Sequence, residues 1–280
     1  MSYTTLLDRR GVIAVEGSDR VRFLQGMVSN DVTTALPGTA VWTAFLTPQG
    51  RWLADFFVFA DTEQERLLLD CEQGHIPDLI KRLSRFRLRA DVRLTETSMS
   101  VLTSWGDNPS PPAGSIHAPD PRHPLAGQRY LLASSSSEVN ATPDDYDLHR
   151  LALGLPDGSR DCEAEKTLLL EANFDVLNGI SWTKGCYMGQ ELTARTHYRG
   201  LVKRRLVPIA LAEHPLPARG TPILTEDGKE AGELRSSCNH IGLAMLRPEY
   251  VEQPLFCNEH AIETRIPDWL MTALKKEKPL

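Results

Sequence analysis

The chain has no stretch approaching the ~18 consecutive apolar residues of a membrane span, and its N-terminus lacks the charged-then-apolar pattern of a secretory signal. No membrane partner is therefore expected. Its five cysteines, 71, 162, 186, 238 and 257, are scattered and contain no Cys-x-x-Cys. An odd, dispersed set argues for reduced thiols rather than a disulfide framework, and so leads to the expectation of a cytoplasmic protein. Excess positive charge is also missing: the net charge is −6, which speaks against direct nucleic-acid binding. There is no phosphate-binding glycine loop and no Gly-x-Ser-x-Gly elbow, so neither nucleotide binding nor serine-hydrolase chemistry has support. Cys238-x-His240 and Cys257-x-x-His260 could be drawn as four zinc ligands, but their spacing matches no common finger, and no metal site is expected.

What remains is an ordinary globular composition, 41% hydrophobic and 24% charged over 280 residues, enough for about two domains. Val12–Val15 reads as a strand, after which Ser18 can cap a helix with Val21, Leu24 and Val28 on one face. Strands over 41–46 and 53–60 flank the turn Pro48-Gln49-Gly50, with a further strand at 67–69. Ile76, Leu79, Ile80 and Leu83 define a second helix, and strands follow at 91–94 and 99–102. This order suits a split β-α-β layout with an antiparallel sheet. Residues 107–127 contain six prolines and no periodicity, which reads as a loop or linker. A strand at 130–133, a serine turn at 134–137 and a helix from Thr142-Pro143 to Gly154 come next. From Arg205 onward, short strands at 206–211, 222–224, 233–236, 240–246 and 261–266 read as a small antiparallel barrel, with Asp227-Gly228 as a hairpin turn. The expected division is 1–106 and 128–203 as two α/β halves, 107–127 between them, and 204–280 as the barrel.

The densest chemistry lies in Lys184-Gly185-Cys186-Tyr187-Met188-Gly189-Gln190-Glu191-Leu192-Thr193-Ala194-Arg195. Read as the start of a helix, this run puts a cysteine in the positive end of the backbone dipole, where thiolate is favoured, with Lys184 acting in the same sense. Glu191 and Arg195 form an i,i+4 pair of the favoured polarity. The plainer reading of Gly-Cys-Tyr is a buried cysteine after a glycine turn. Elsewhere, Asp55 stands alone in the apolar run 53–58. It is either a buried, paired carboxylate or the outward-facing residue of an edge strand. Basic residues cluster at Lys81, Arg82, Arg85, Arg87 and Arg89, and again at Arg195, Arg199, Lys203, Arg204 and Arg205. Each cluster is a solvated face or a local anion site.

Lys-Gly-Cys-Tyr-x-Gly-Gln-Glu-x-x-x-Arg resembles the signature of the YgfZ family of folate-binding proteins, relatives of the glycine cleavage T-protein, an aminomethyltransferase. Gly17-x-Asp19-x-x-x-Phe23-Leu24-Gln25-Gly26, Asn30-Asp31-Val32, Thr47-Pro48-Gln49-Gly50-Arg51 and Arg150-x-x-x-Gly154-x-Pro156 resemble further segments of that superfamily, covering about 5–205. The resemblance implies an α+β T-protein-like fold, with two interlocked ferredoxin-like halves and a C-terminal antiparallel β-barrel. It implies a tetrahydrofolate-binding factor that supports iron–sulfur cluster assembly or repair in client enzymes, including those that modify tRNA. Cys186 would then be the chemical centre, with Lys184, Tyr187, Gln190, Glu191 and Arg195 around it. Asp55, Asn30, Arg51 and Arg150 would contact folate, and a basic cluster would suit its glutamate tail. The tyrosine- and glycine-rich folate segment of the T-protein has no clear counterpart, and Ala54 replaces the first of its two adjacent aspartates. Turnover is therefore left open: a folate-dependent one-carbon transferase is the alternative, and a scaffold without folate a third class.

Overall fold

The computed structural model describes residues 1–107, 111–133, 139–200, 202–212 and 214–277, the side chains of 276 and 277 excepted. The serine turn expected at 134–137 lies outside the described residues. The chain divides into two compact units that are discontinuous in sequence: Met1–Pro48, Leu53–Pro143 and Leu177–Gln190 form one, and Gln49–Trp52, Asp144–Val176 and Glu191–Leu280 form the other. The sequence reading drew consecutive segments instead.

The first unit opens with β1 (Ser2–Leu6) and β2 (Arg10–Glu16), then α1 (Arg20–Met27), β3 (Ala40–Leu46), β4 (Trp52–Asp61), β5 (Arg66–Glu72), α2 (Ile76–Ser84) and β6 (Arg93–Glu96). β7 (Ser100–Gly106), β8 (Ile116–Pro119) and β9 (Gln128–Leu132) complete it. One sheet has the order β3-β4-β5-β2-β6, and its last four strands with α1 and α2 make a ferredoxin-like split β-α-β. The second has the order β1-β7-β9-β8. β8 falls inside the proline-rich segment expected to be a loop; four residues pairing with β9 are too short to leave a periodic signal.

Strand alternation decides what each face of the five-stranded sheet buries. Ile13, Val15, Phe56, Val58, Leu69 and Cys71 join Phe23 and Leu24 of α1 and Leu79 and Leu83 of α2 in one core. Two of the alternate residues, Arg10 of β2 and Asp70 of β5, join Arg129 of β9 and the loop residues Asp120 and Arg122 in a buried ionic ladder. Arg10 Nε donates to Asp70 at 2.7 Å, Arg129 bridges Asp70 (2.6 Å) and Asp120 (3.1 Å), and Arg122 Nη2 donates to Asp120 at 2.7 Å. The Arg129 guanidinium lies 3.8 Å from the Phe57 ring centroid. Burial opposes the charge of Asp120, but Arg122 and Arg129 overcome it and hold the carboxyl far below its usual range.

Ser18 does not cap α1. The N-cap is Asp19, and the Ser18 hydroxyl donates to Asp91 at 2.9 Å. Gly17 has φ +101, and a Cβ there would lie 2.1 Å from the Asp91 carbonyl, so the resembled glycine has a steric reason.

The second unit holds α3 (Pro143–Ala152), α4 (Gln190–Arg199) and a closed barrel made by β10 (Arg205–Ala210), β11 (Pro222–Thr225), β12 (Glu230–Cys238), β13 (Ile241–Leu246), β14 (Leu255–Cys257) and β15 (His260–Thr264). α5 (Asp268–Glu277) packs Leu270 and Leu274 into the barrel's core beside Val207, Ile209 and Leu234. The hairpin signal at Asp227-Gly228 joins β11 to β12, with Gly228 at φ +78.

Candidate functional site

The segment Leu177–Gln190 is stitched to residues 26–30 of the first unit by a run of hydrogen bonds. Asn30 Nδ2 donates to the Asn178 carbonyl at 2.7 Å, the Ser29 hydroxyl to the Gly179 carbonyl at 2.7 Å, and Ser181 N–H to the Ser29 carbonyl at 3.1 Å. Further on, Met188 N–H donates to the Gly26 carbonyl at 3.1 Å. Between these anchors, Lys184 turns inward. Its ammonium donates to the carbonyls of Val28 at 2.9 Å and Asn30 at 2.5 Å and to Gln25 Oε1 at 3.3 Å, and lies 5.3 Å from the centroid of the Tyr187 ring. Gln25 is fixed in turn, donating to Asp31 and accepting from Val32 N–H, each at 2.9 Å.

Lys184 is buried among neutral acceptors. Burial pushes its pKa down to about 8, and the charge of Asp31 pulls the other way. Tyr187 is buried and Met188 packs on the first unit's core. Cys186, between the two pinned residues, is exposed, whereas Cys71, Cys162 and Cys257 are buried and Cys238 is intermediate. A Cβ on Gly185 would meet nothing within 4 Å, so the residue before the cysteine also borders open space. The thiol is held in place by its neighbours while remaining accessible.

Two expectations about this motif need correction, and one alternative falls away. Cys186 precedes α4, which begins at Gln190, so it sits on a loop and not in a helical first turn. It is also not the buried cysteine of the plainer reading. Glu191 and Arg195 are both exposed, and among the described residues no ion pair joins them. Gln190 is half-buried at the start of α4, its N–H donating to the Tyr187 carbonyl at 3.3 Å.

Asp55 is buried on β4, with a strand on each side, which rules out the exposed edge-strand reading. Trp42 Nε1 donates to it at 3.0 Å. Among the four residues assigned to folate, Asp55 fits a pterin best: it is a buried carboxylate in an aromatic setting, with Trp42 stacked on Phe57. Asn30 is a poorer fit, because its amide already donates to the Trp42 and Asn178 carbonyls. Arg51, in the second unit, donates to the Lys166 carbonyl at 2.7 Å.

Arg150 does not fit a ligand-contact role. It is fully buried in the second unit, where it donates to Asp147 (2.6 Å), Asp161 (3.1 Å), the Leu155 carbonyl (3.1 Å) and Ser236 (3.0 Å). Burial works against its charge, but Asp161, Asp157 and Asp147 outweigh that and raise its pKa. Arg205, taken as part of a basic face, is likewise buried and paired with Asp175 at 2.6 Å. Among the described residues no three His, Cys, Asp or Glu side chains gather as a metal site.

Gln25 and the carbonyls of Val28 and Asn30 were not foreseen as site elements. Gln25 carried a signal, since it lies in a resembled segment; backbone carbonyls carry none.

The fold defines the class first. The chain superposes on the crystal structure of aminomethyltransferase T from Bartonella henselae with a TM-score of 0.77, covering 96% of this chain and 86% of that one at 15% identity, which establishes a T-protein fold. Residues 203–272 match the family described as the CAF17 C-terminal beta-barrel domain. The iron–sulfur cluster assembly factor IBA57 homolog of Mycosarcoma maydis is 36% identical, covering 87% of this chain and 73% of the relative. IBA57 of Mus musculus is 34% identical (96% and 86% covered) and that of Homo sapiens 33% (96% and 85%). The chain belongs to the IBA57 family of iron–sulfur cluster assembly factors. The YgfZ resemblance therefore holds coarsely, through a CAF17-type family of which YgfZ is the bacterial relative. These relatives are named as mitochondrial proteins, which corrects the cytoplasmic expectation.

Proposed function

We propose that Cys186 supplies a thiolate to an iron–sulfur cluster while that cluster is assembled on, or passed to, a client protein. The observation that carries this is the exposed thiol between a buried lysine and a buried tyrosine, with open space at Gly185. Iron in such clusters is held by cysteine thiolates, so one cysteine cannot complete a site. The remaining ligands come from the partner that carries the cluster, and the thiol proton leaves to solvent when the iron–sulfur bond forms. Lys184, Tyr187 and Met188 act as positioning residues. They fix the loop without using Cys186 itself.

Tetrahydrofolate binding is part of the same proposal. Asp55 would orient the pterin, and folate would supply one-carbon chemistry. The clients we infer are iron–sulfur enzymes, among them those that methylthiolate tRNA, so any link to RNA is indirect. The exposed cysteine loop favours this reading over turnover as a transferase, for which Asp55 would be the polar anchor.

Cells carrying Cys186→Ser in place of the native gene should lose cluster-dependent activity and tRNA methylthiolation while the protein itself accumulates normally. Serine keeps the size but is a poor ligand for soft metals. Normal cluster content would overturn the assembly role. Asp55→Asn should weaken tetrahydrofolate binding by about tenfold or more in calorimetry, the loss of one charge-assisted hydrogen bond. Unchanged affinity would remove Asp55 from the folate site.

A further inference from the structure

The basic segment after α2 has a feature that a solvated face does not explain. Residues 81–89 read Lys-Arg-Leu-Ser-Arg-Phe-Arg-Leu-Arg, five basic residues with no acid, in a chain whose net charge is −6. Leu83 is buried and anchors the segment to the core, and Arg82 pairs with Asp78 at 2.6 Å. Beyond the helix the chain turns back in tight hydrogen-bonded steps, Phe86 N–H to the Leu83 carbonyl (3.0 Å), Arg87 N–H to Ser84 (3.3 Å) and Ala90 N–H to Arg87 (2.8 Å). The Arg87 guanidinium also donates to the Val92 carbonyl at 3.1 Å. At the tip stands Leu88, 89% exposed and held at φ +47, a backbone region that a branched side chain avoids. Phe86, 40% exposed, rests edge-on against Phe45 at 6.4 Å. Lys81, Arg85, Arg87 and Arg89 are all exposed around this tip.

We propose that the loop Arg85–Arg89 is a docking finger for an acidic protein partner, with Leu88 entering an apolar pocket and the flanking arginines meeting carboxylates on its rim. An apolar centre enclosed by charge is the pattern of a protein interface with one anchor residue. A free polyanion such as a glutamate tail would have no use for Leu88. A bilayer would find only one wholly exposed apolar side chain here, too little to enter, on a body that is otherwise acidic and repelled by anionic lipid. The arginines also set the approach: complementary charge speeds and orients encounter, and its effect falls with salt. This finger is independent of the cysteine reading, and its test does not pass through cluster chemistry.

The experiment places the photo-cross-linker p-benzoylphenylalanine at position 88 in cells, with position 125, at Leu125 (65% exposed), as the control. The adduct is identified by mass spectrometry, and the partner is purified and titrated by calorimetry against wild type, Leu88→Asp, Leu88→Gly and the triple variant Arg85→Glu, Arg87→Glu, Arg89→Glu. The expected result is one acidic protein captured at 88 and not at 125, bound at least about tenfold more weakly by each variant and more weakly by wild type as salt rises. Leu88→Gly relieves the left-handed backbone and should melt no lower than wild type, so its weaker binding cannot come from misfolding. Four outcomes would overturn the proposal: no adduct above the control, a basic partner, affinity unchanged in Leu88→Asp, or sedimentation of wild type but not Leu88→Asp with phosphatidylserine vesicles.

Discussion

Two buried cations, one in each unit, look alike in sequence and behave oppositely in the structure. Arg150 is surrounded by carboxylates and a hydroxyl, so its charge is neutralised where it lies. Lys184 meets two carbonyls and an amide oxygen, with Asp31 acting only through its field. The first arrangement knits α3 to the following loop and the barrel strand β12, as architecture does. The second leaves an ammonium poorly compensated two residues along the chain from an exposed thiol, and such imbalance is found where a protein has chemistry to do. A basic residue in a motif is therefore not evidence of ligand binding until its partners are known.

The largest effect should come from Arg150. Arg150→Met leaves Asp161 buried without its guanidinium, and the cost should be about 3–5 kcal/mol in urea unfolding of the full chain. Lys184→Met should cost less, about 1–3 kcal/mol, for carbonyls left without a donor. A reversal of that order would break the comparison.

The pH dependence sharpens it. The folded pKa of Lys184, about 8, lies below the 10.5 of the free side chain, so between these values the unfolded chain binds more protons than the folded one. Its contribution is full above the unfolded pKa and is lost as pH falls through 8. The stability of wild type relative to Lys184→Met should thus rise from pH 8 to above 10, by up to about 2–3 kcal/mol. Unfolding both proteins across that window cancels the other titrating groups; a constant difference would show that the ammonium is not desolvated.

The smallest effect on stability belongs to the residue with the largest proposed role. Cys186→Ser should change unfolding by no more than about 0.5 kcal/mol, because the side chain is exposed. Iodoacetamide should alkylate Cys186 well before Cys71, whose thiol burial pushes up to about 12. Equal rates would remove the accessible-thiol argument.

Most strands and both helices of the first unit were legible because their apolar residues repeat at the period of the element. α5 and β14 went unread, the first beyond the last strand considered and the second only three residues long. β1 is Ser-Tyr-Thr-Thr-Leu, too polar to signal a strand. In the site, Cys186 was visible as a residue, but its setting was not, because Lys184 is held mainly by backbone carbonyls, which every residue possesses. Asp55 could be read in two ways until β4 was found between two other strands. Arg150 was misread because its motif does not show that Asp147, Asp161 and the distant Ser236 converge on its guanidinium.

The discontinuity of the first unit has a consequence for how the protein is made. Its two sheets are complete by residue 132, yet the strip Leu177–Gln190 belongs to them and is synthesised only after residues 144–176 of the other unit. Domains fold as they emerge from the ribosome, N-terminal parts first. The nascent first unit must therefore wait with the carbonyls of Val28 and Asn30 and the seat of Met188 uncovered, and the strip that presents Cys186 docks last. The setting that Lys184, Tyr187 and Met188 give the thiol thus forms only on a chain whose sheets are already in place.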